Sequence, residues 1–242
     1  IAHCHGGEAT EGLIDEPIRH SITKMSHLHF CSTDEYKKRI IQLGERPKSV
    51  HNVGALGIEN INKLNLLSKK EFEDSISFKL DKEYNFLVTF HPVTLENSTA
   101  SQQIFQLLKA LDSIENCKII FTKSNSDTDG RIINDMIEDY VLKNSEKSIC
   151  FTSLGQLRYL SALKYVDCVI GNSSSGLIEV PSFKKATVNI GDRQRGRIKG
   201  NSVIQCEPKF NEIKKAITKS ISNDFKKNVL LNSLNPYGTG NS

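Results

Sequence analysis

The feature that most constrains the fold of this chain is an alternation along its length. Apolar runs of strand length are followed by segments in which apolar residues recur every three or four positions. This pattern is typical of β-α units wound onto a parallel sheet. It predicts an α/β fold whose parallel sheets are flanked by helices. The predicted strands are residues 28–32, 50–53, 86–90, 118–122, 149–152, 168–171 and 187–190.

Apolar spacing also predicts three helices. The first opens with Asp15-Glu16-Pro17, because acidic residues and proline are favoured in a first turn. Its apolar stripe consists of Ile14, Ile18, Ile22 and Met25. A second helix is predicted from about residue 34 to residue 43, and a third over residues 101–114, where apolar residues keep the helical period.

Residues 64–84 are charged and poor in strand signals, and they separate the first two predicted strands from the later five. A domain boundary is therefore predicted near Lys79, which gives domains of residues 1–78 and 79–242. The chain begins without methionine at Ile1-Ala2-His3, which reads as the close of a buried strand. We therefore expect the N-terminal domain to be incomplete.

The composition excludes several classes of protein. With 242 residues, 38% hydrophobic and 25% charged, the chain is of ordinary globular type. Its 32 basic and 28 acidic residues are dispersed, so no basic tract predicts nucleic-acid binding. No apolar stretch is long enough to predict a membrane span. The six cysteines are scattered without a CxxC pair, which favours a cytoplasmic protein.

The first candidate site is the run HCHGGE at residues 3–8. Ligands of open α/β sheets bind beyond the carboxyl ends of strands, so Glu8 is a candidate acid or base. Asp15 follows at a helix start, and two carboxylates in unequal surroundings can divide these roles. The alternative is a helix-capping Asp15 and a solvated Glu8. An HxH pair without further ligands does not predict a metal site.

A second candidate is His91, which directly follows the predicted strand 86–90. At the carboxyl end of a buried strand, an imidazole could contact a phosphate or transfer a proton. The alternative is a histidine hydrogen-bonded to the backbone of a loop. Neither a GxSxG elbow nor a matched cysteine and histidine pair is present, so a hydrolase with a serine or cysteine nucleophile is not predicted.

The third candidate is the strand-to-helix turn GNSSSG at residues 171–176, followed by Glu179. Small residues at a helix start leave backbone N–H groups and hydroxyls to bind a diphosphate. Glu179 lies about one turn further on, where a carboxylate can accept ribose hydroxyls. In the loop GDRQRGR at residues 191–197, we expect at least one arginine to face the ligand. Arg195 and Arg197 are individually expected to be solvated.

Over essentially its whole length, the chain resembles the hydrolysing UDP-N-acetylglucosamine 2-epimerases. The resemblance rests on residues 5–20, 54–57, 91–94, 153–159, 171–179 and 189–194, with the sequences HGGEATEGLIDEPIRH, GALG, HPVT, SLGQLRY, GNSSSGLIE and NIGDRQ. It implies a GT-B fold of two Rossmann-like domains, with UDP held against the C-terminal domain.

The resemblance also implies a reaction. UDP is eliminated from the sugar to give a glycal, and hydration then releases N-acetylmannosamine with C2 inverted; no cofactor or metal is implied. The catalytic residues of the family correspond to Glu8, Asp15 and His91, and Glu16 could substitute for Asp15. The residues that correspond to its UDP ligands are His91, Asn125, Ser173, Ser174, Glu179 and Arg193.

Some alternatives stay open at this point. The same reaction could act on a UDP-diacetamido-trideoxy sugar, since some members of the family use one. A non-hydrolysing epimerase or an inactive nucleotide-sugar-binding homologue are the further alternatives. The resemblance suggests a homo-oligomer, either a dimer or a tetramer, with no nucleic-acid or membrane partner.

Overall fold

The computed structural model describes residues 1–11, 15–93, 99–125 and 129–240. Within them the chain forms two parallel sheets, one of three strands and one of six. The strands are β1 (Ala2–Cys4), β2 (Leu28–Cys31), β3 (Val50–Asn52), β4 (Tyr84–Thr89), β5 (Cys117–Thr122), β6 (Ser148–Phe151), β7 (Cys168–Gly171), β8 (Ala186–Ile190) and β9 (Val203–Cys206).

The larger sheet has the order β6-β5-β4-β7-β8-β9, and every neighbouring pair is parallel. This is the doubly wound order. The chain starts at the central strand β4, adds β5 and β6 on one side, and then adds β7, β8 and β9 on the other, so the strand order reverses between β4 and β7. A crevice opens at such a reversal, beyond the carboxyl ends of the two strands. In β4, consecutive residues Phe86, Leu87 and Val88 are fully buried, as expected of a central strand covered by helices on both faces.

Helices connect the strands. They are α1 (Asp15–Met25), α2 (Asp34–Gln42), α3 (Leu56–Lys63), α4 (Lys69–Ile76), α5 (Ala100–Asp112), α6 (Gly130–Lys143), α7 (Gly155–Tyr165), α8 (Ser175–Ile178), α9 (Phe210–Ile221) and α10 (Asn223–Phe225). Short 3₁₀ turns occupy Pro47–Ser49 and Val180–Phe183, and a π-turn occupies Lys226–Leu230. Thr33 caps α2, and Ser68 with Glu71 forms a capping box on α4.

The core has three parts. One face of the large sheet packs against α5, α6 and α9, and the other against α4 and α7. A third cluster lies where the two sheets meet. It joins Tyr36 and Ile58 of the first part of the chain to Leu177 and Tyr237 of the second. The Tyr36 and Tyr237 hydroxyls are 3.1 Å apart, and the Tyr237 hydroxyl donates to the Ile198 carbonyl at 3.0 Å. The two sheets are therefore packed together through a buried core.

All seven predicted strands and all three predicted helices are confirmed, with ends that differ by at most two residues. Strand β9 was missed, and so were helix α4 in the charged segment and helix α3 directly before it. The described residues of the apolar stripe that predicted α1 do not face the core. Ile18 is 54% exposed and Met25 60%, whereas the residue that α1 buries is Thr23. The Thr23 hydroxyl is 3.1 Å from Nδ1 of His3, so a polar contact fixes this helix on β1. Ile14 lies outside the described residues.

The predicted domain boundary near residue 79 falls between β3 and β4, and thus between the two sheets. Among the described residues, the helices are too short or too polar to cross a membrane.

Candidate functional site

The reversal of strand order brings the ends of β4 and β7 together. Gly171 ends β7 with φ +135°, and a Cβ atom there would lie 1.9 Å from the Thr89 carbonyl oxygen. Only glycine fits this backbone. Next in sequence, Asn172 is fully buried, and its side chain spans the gap to His91. The His91 N–H donates to Asn172 Oδ1 at 2.7 Å, and Asn172 Nδ2 donates to the His91 carbonyl at 2.7 Å.

This pair of hydrogen bonds fixes the backbone of His91, and a third bond fixes its ring. The Asn125 N–H donates to His91 Nδ1 at 3.1 Å. A backbone N–H can only donate, so in the neutral imidazole the proton is on Nε2. The loop-backbone bond that the sequence left as an alternative is present, and it orients the ring. The structure therefore brings together His91 and Asn125, two of the predicted ligand residues.

The strand-to-helix turn of residues 171–176, here called the serine turn, lies against the loop that follows β8. Ser173 and Ser174 are half-buried and lead into the short helix α8. Arg193 Nη1 and Gln194 Nε2 both donate to the Asn172 carbonyl, at 3.3 Å and 2.8 Å. Arg193 is thus hydrogen-bonded directly to the turn that is predicted to bind phosphate.

A cavity of about 340 Å³ opens beside this turn at the carboxyl ends of β4, β5 and β6. Its lining residues include Thr89, Thr122, Ser153, Gln156, Tyr159 and Ser173. The Tyr159 hydroxyl donates to Ser175 Oγ at 2.7 Å, so the wall of the cavity is tied to the first turn of α8.

Glu179 lies deeper, at the contact between the two halves of the chain. A Cβ atom on Gly57 of α3 would lie 2.9 Å from its Oε1, so the carboxylate rests against the start of that helix. Its Oε2 is buried and has no hydrogen-bond partner among the described residues. Burial raises the pKa of Glu179, and a hydrogen bond from Ser175 opposes that rise only in part. A buried carboxylate oxygen without a partner is suited to accept a hydroxyl from a ligand.

The second group of predicted residues surrounds Glu8, whose side chain is 3% exposed. His5 Nδ1 lies 2.9 Å from Oε1, Arg197 Nη2 lies 3.0 Å from Oε2, and the Ser32 hydroxyl lies 3.4 Å from Oε1. Burial alone would raise the pKa of Glu8. The hydrogen bond from His5 and the charge of Arg197 outweigh it, and the net effect is a lowered pKa. Glu8 is therefore a buried but ionised carboxylate.

Asp15 and Glu16 occupy different surroundings at the start of α1. Asp15 is exposed, whereas Glu16 is half-buried and accepts a hydrogen bond from the Thr10 N–H. Arg19 joins this group to Glu8, since its Nη1 donates to the Glu8 carbonyl at 3.2 Å and to the Thr10 hydroxyl at 2.9 Å. The role of Asp15 as the second carboxylate stays a prediction.

The expectation of a solvated Arg197 is wrong. Its side chain is 11% exposed, because the loop after β8 folds back onto Glu8. Arg195 is 67% exposed and pairs with Glu11 at the surface, as expected. Asn172, Arg19 and Arg197 were thus missed as site residues. All three stood in motifs already singled out, but no local spacing predicts a contact between positions 8 and 197.

No group of three or more histidine, cysteine, aspartate or glutamate side chains in the described part of the chain could hold a metal ion. The two histidines of the HxH pair instead make separate contacts, His3 with Thr23 and His5 with Glu8.

Comparison with solved structures identifies the fold. The structure superposes on the UDP-GlcNAc 2-epimerase of Neisseria meningitidis bound to UDP-GlcNAc with a TM-score of 0.81 at 18% identity, covering 99% of this chain and 66% of that one. A Staphylococcus aureus MnaA structure with UDP gives a TM-score of 0.77 at 15% identity, covering 99% of this chain and 64% of that one. The fold is of the GT-B type, with parallel sheets flanked by helices.

Sequence comparison identifies the family. The family model described as UDP-N-acetylglucosamine 2-epimerase matches residues 1–242. The chain belongs to this family, as its motifs predicted.

Two curated relatives are similar to the chain over most of its length. It is 47% identical over 228 residues to the GDP/UDP-N,N'-diacetylbacillosamine 2-epimerase (hydrolyzing) of Campylobacter jejuni, covering 94% of this chain. It is 48% identical over 242 residues to the polysialic acid biosynthesis protein P7 of Escherichia coli, covering 98% of this chain. The chain spans 59% and 60% of the lengths of these relatives.

Proposed function

We propose that the full-length protein is a hydrolysing 2-epimerase that converts UDP-N-acetylglucosamine to UDP and free N-acetylmannosamine. One observation carries the proposal. A buried, ionised carboxylate, that of Glu8, is joined through a single loop to a serine turn suited to a diphosphate. The family match and the hydrolysing relative support the same reaction type.

In this proposal the serine turn and its neighbours hold UDP. The diphosphate binds at Ser173 and Ser174, with Arg193 and His91 beside it. The Oε2 atom of Glu179, which has no partner among the described residues, accepts a hydrogen bond from a ribose hydroxyl. Such a carboxylate contact is a common way to hold a ribose in folds of this kind. Asn125 contributes from the end of β5, where its backbone already contacts His91.

The chemistry requires a base and an acid at C2 of the sugar. In the first step the Glu8 carboxylate accepts the C2 proton while the C1–O bond to UDP breaks, which leaves a C1–C2 double bond. In the second step water supplies a hydroxyl to C1, and an acid delivers a proton to the opposite face of C2. Asp15, or Glu16 in its place, is the proposed acid. The attacking water gives its own proton to the conjugate base of that acid, and Glu8 releases the C2 proton to solvent, so both steps balance.

The identity of the sugar has a second candidate. The relative from C. jejuni is named for a diacetylbacillosamine substrate, and it is 47% identical to this chain. The same reaction on a UDP-diacetamido-trideoxy sugar is therefore the alternative. Both sugars share C1 and C2, where the proposed residues act, and differ at C4 and C6.

Product analysis of the full-length protein tests the function. Purified enzyme is incubated with UDP-N-acetylglucosamine and, separately, with its diacetamido-trideoxy analogue, and products are followed by NMR. Free UDP with the free 2-epimer supports the proposal, and the faster substrate decides between the two sugars. A UDP-linked epimer would identify a non-hydrolysing enzyme, and binding without turnover an inactive homologue; either result refutes the proposal. A cytoplasmic location and a homo-oligomeric state stay predictions.

Replacing Glu179 by glutamine should raise the stability of the ligand-free protein and lower its affinity for UDP. A carboxyl with a raised pKa in the folded state destabilises the protein as pH rises through that pKa, and the amide does not. We expect the ligand-free variant to melt higher at pH 8, by about 2–4 °C for each kcal/mol of relieved burial cost. UDP affinity should fall by about 1.5–3 kcal/mol, because a charged hydrogen-bond acceptor is lost.

Thermal unfolding with and without UDP measures both effects. The gain in Tm should shrink as pH falls, since the wild-type carboxyl is then also neutral. A lower Tm at pH 8, or an unchanged affinity for UDP, would contradict the assigned surroundings of Glu179.

A further inference from the structure

The loop of residues 191–197, here called the arginine loop, contacts both halves of the site. In its first half, Arg193 and Gln194 donate to the carbonyl of Asn172, which is the second residue of the serine turn. At its end, Arg197 Nη2 lies 3.0 Å from Glu8 Oε2. Seven residues therefore connect the predicted phosphate turn with the predicted catalytic carboxylate.

The backbone holds the end of this loop against the segment that carries Glu8. The Glu11 N–H donates to the Arg195 carbonyl at 3.0 Å. Gly196 has φ +87°, and a Cβ atom there would lie 3.0 Å from the Cβ of Ala9. The contact between Arg197 and Glu8 is thus built into the path of the main chain and does not depend on one side chain alone.

Arg197 is enclosed together with its partner. Its side chain is 11% exposed and that of Glu8 is 3% exposed. Its Nε is buried without a hydrogen-bond partner among the described residues. Two opposite charges shielded from water interact far more strongly than a surface pair, and removing one leaves the other uncompensated.

Other titratable and charged groups also surround Glu8 and contribute to the electrostatic potential at its carboxylate. His5 contacts it from the turn after β1, and Arg19 of α1 binds its carbonyl and adds positive charge. Tyr36 of α2 and Tyr237 of the C-terminal tail lie within its electrostatic reach. The charges of Arg197 and His5 also act on Glu179, where each of them lowers the pKa. Among these groups, Arg197 is the permanent positive charge that pairs directly with the Glu8 carboxylate.

We propose that Arg197 is a positioning residue that keeps Glu8 in its ionised, proton-accepting form and couples it to the diphosphate-binding loop. The proposal rests on the function proposed above, in which Glu8 must be ionised to accept the C2 proton. It is independent of which UDP-sugar is the substrate.

A pH profile tests this role. With the charge of Arg197 removed, protonation of Glu8 should set in at higher pH, because an adjacent cation no longer favours the carboxylate. We expect Arg197→Gln to move the acidic limb of log kcat/KM upward by about 1–3 pH units, the usual effect of one close opposite charge. Arg197→Lys keeps the charge and should retain most of the wild-type limb. Arg195→Gln, on the same loop but exposed, is the matched control and should leave the limb in place.

A second measurement does not need turnover. In full-length protein labelled with ¹³C at glutamate carboxyl carbons, the Glu8 signal is assigned by its loss in Glu8→Gln and followed against pH. Its midpoint should lie below the ordinary glutamate value of 4.5 in the wild type and rise in Arg197→Gln. A wild-type midpoint at or above that value overturns the proposal even if Arg197→Gln does not fold.

The outcomes separate this proposal from the proposed function. Wild-type protein without epimerase activity refutes the function, and the carboxyl titration still decides the role of Arg197. Active wild-type protein with an unshifted acidic limb in Arg197→Gln overturns the role of Arg197 alone. An equal shift in Arg195→Gln also overturns it, because the effect would then belong to the charge of the loop as a whole.

Discussion

Replacing Glu8 by glutamine is expected to lower kcat by about 10²–10⁴-fold, the usual contribution of a positioned general base. The amide keeps the shape and an acceptor for Arg197, but it cannot take the C2 proton. UDP affinity should be nearly unchanged, because the proposed diphosphate contacts are made by the serine turn and the arginine loop. Steady-state kinetics and calorimetric titration of UDP measure the two effects on the same preparation.

The control for this variant is Glu11→Gln. Glu11 lies three residues further along the same segment, but its side chain is 53% exposed and it pairs with Arg195 at the surface. Its replacement should leave kcat within about twofold, since exposed ion pairs contribute little. If Glu8→Gln kept more than a tenth of the wild-type kcat, or if the folded variant no longer bound UDP, the assignment of Glu8 as the base would be wrong.

Stability provides an independent check on Glu8. Its folded-state pKa is lowered, so its carboxylate stabilises the protein above the unfolded-state pKa, and this stabilisation is lost as pH falls through the folded-state pKa. The glutamine variant lacks this contribution. Its free energy of unfolding should therefore depend less steeply on pH in the acid range than that of the wild type.

The sequence was sufficient to predict the order of strands and helices because the large sheet is buried on both faces. In β4 and β8 almost every residue is enclosed, so burial appears as a continuous apolar run. Strand β9 escaped this criterion because it lies at the sheet edge, where Val203, Ile204 and Gln205 remain partly or largely exposed. Helices α3 and α4 were missed because charged residues cover their outer faces and hide a short apolar side.

The candidate site was predictable as two separate halves. Glycines and serines at strand ends indicated the phosphate turn, and an acidic residue after a glycine pair indicated Glu8. The connection between the halves was not predictable, because it depends on how the arginine loop folds back across the molecule. Arg197 is separated by 189 positions from Glu8, and arginine in a loop is ordinarily solvated. Only the three-dimensional path of the chain distinguishes it from the exposed Arg195.

Asn172→Ala is expected to have the largest effect of any substitution in the phosphate half of the site. The side chain makes reciprocal hydrogen bonds with both backbone groups of His91, each of 2.7 Å. Alanine leaves the N–H and the carbonyl of the half-buried His91 without these partners, at a cost of up to about 1–3 kcal/mol for each. The ends of β4 and β7 stay joined by the bond from the Asn172 N–H to the Thr89 carbonyl, but the two side-chain bonds that hold His91 in place are lost.

This loss should reach catalysis as well as stability. His91 is predicted to be a catalytic residue beside the diphosphate, and a misplacement of about 1 Å can lower a rate by about 10²-fold. We expect a drop of that order in kcat/KM, measured below the melting temperature of the variant. Asn172→Asp should not rescue activity. It keeps the acceptor for the His91 N–H, but it replaces the donor with an oxygen that faces the His91 carbonyl.

Asn189→Ala is the matched comparison for this effect. Asn189 is equally buried one strand away, but its Nδ2 donates to Gln205 and not to the backbone of the site. Its replacement should lower Tm while leaving kcat/KM within a few-fold of the wild type, since it removes a hydrogen bond that positions no proposed catalytic group. Equal losses of kcat/KM in both variants would show that general destabilisation is the cause. A selective loss in Asn172→Ala would instead establish that this one amide fixes the crevice at which the strand order reverses.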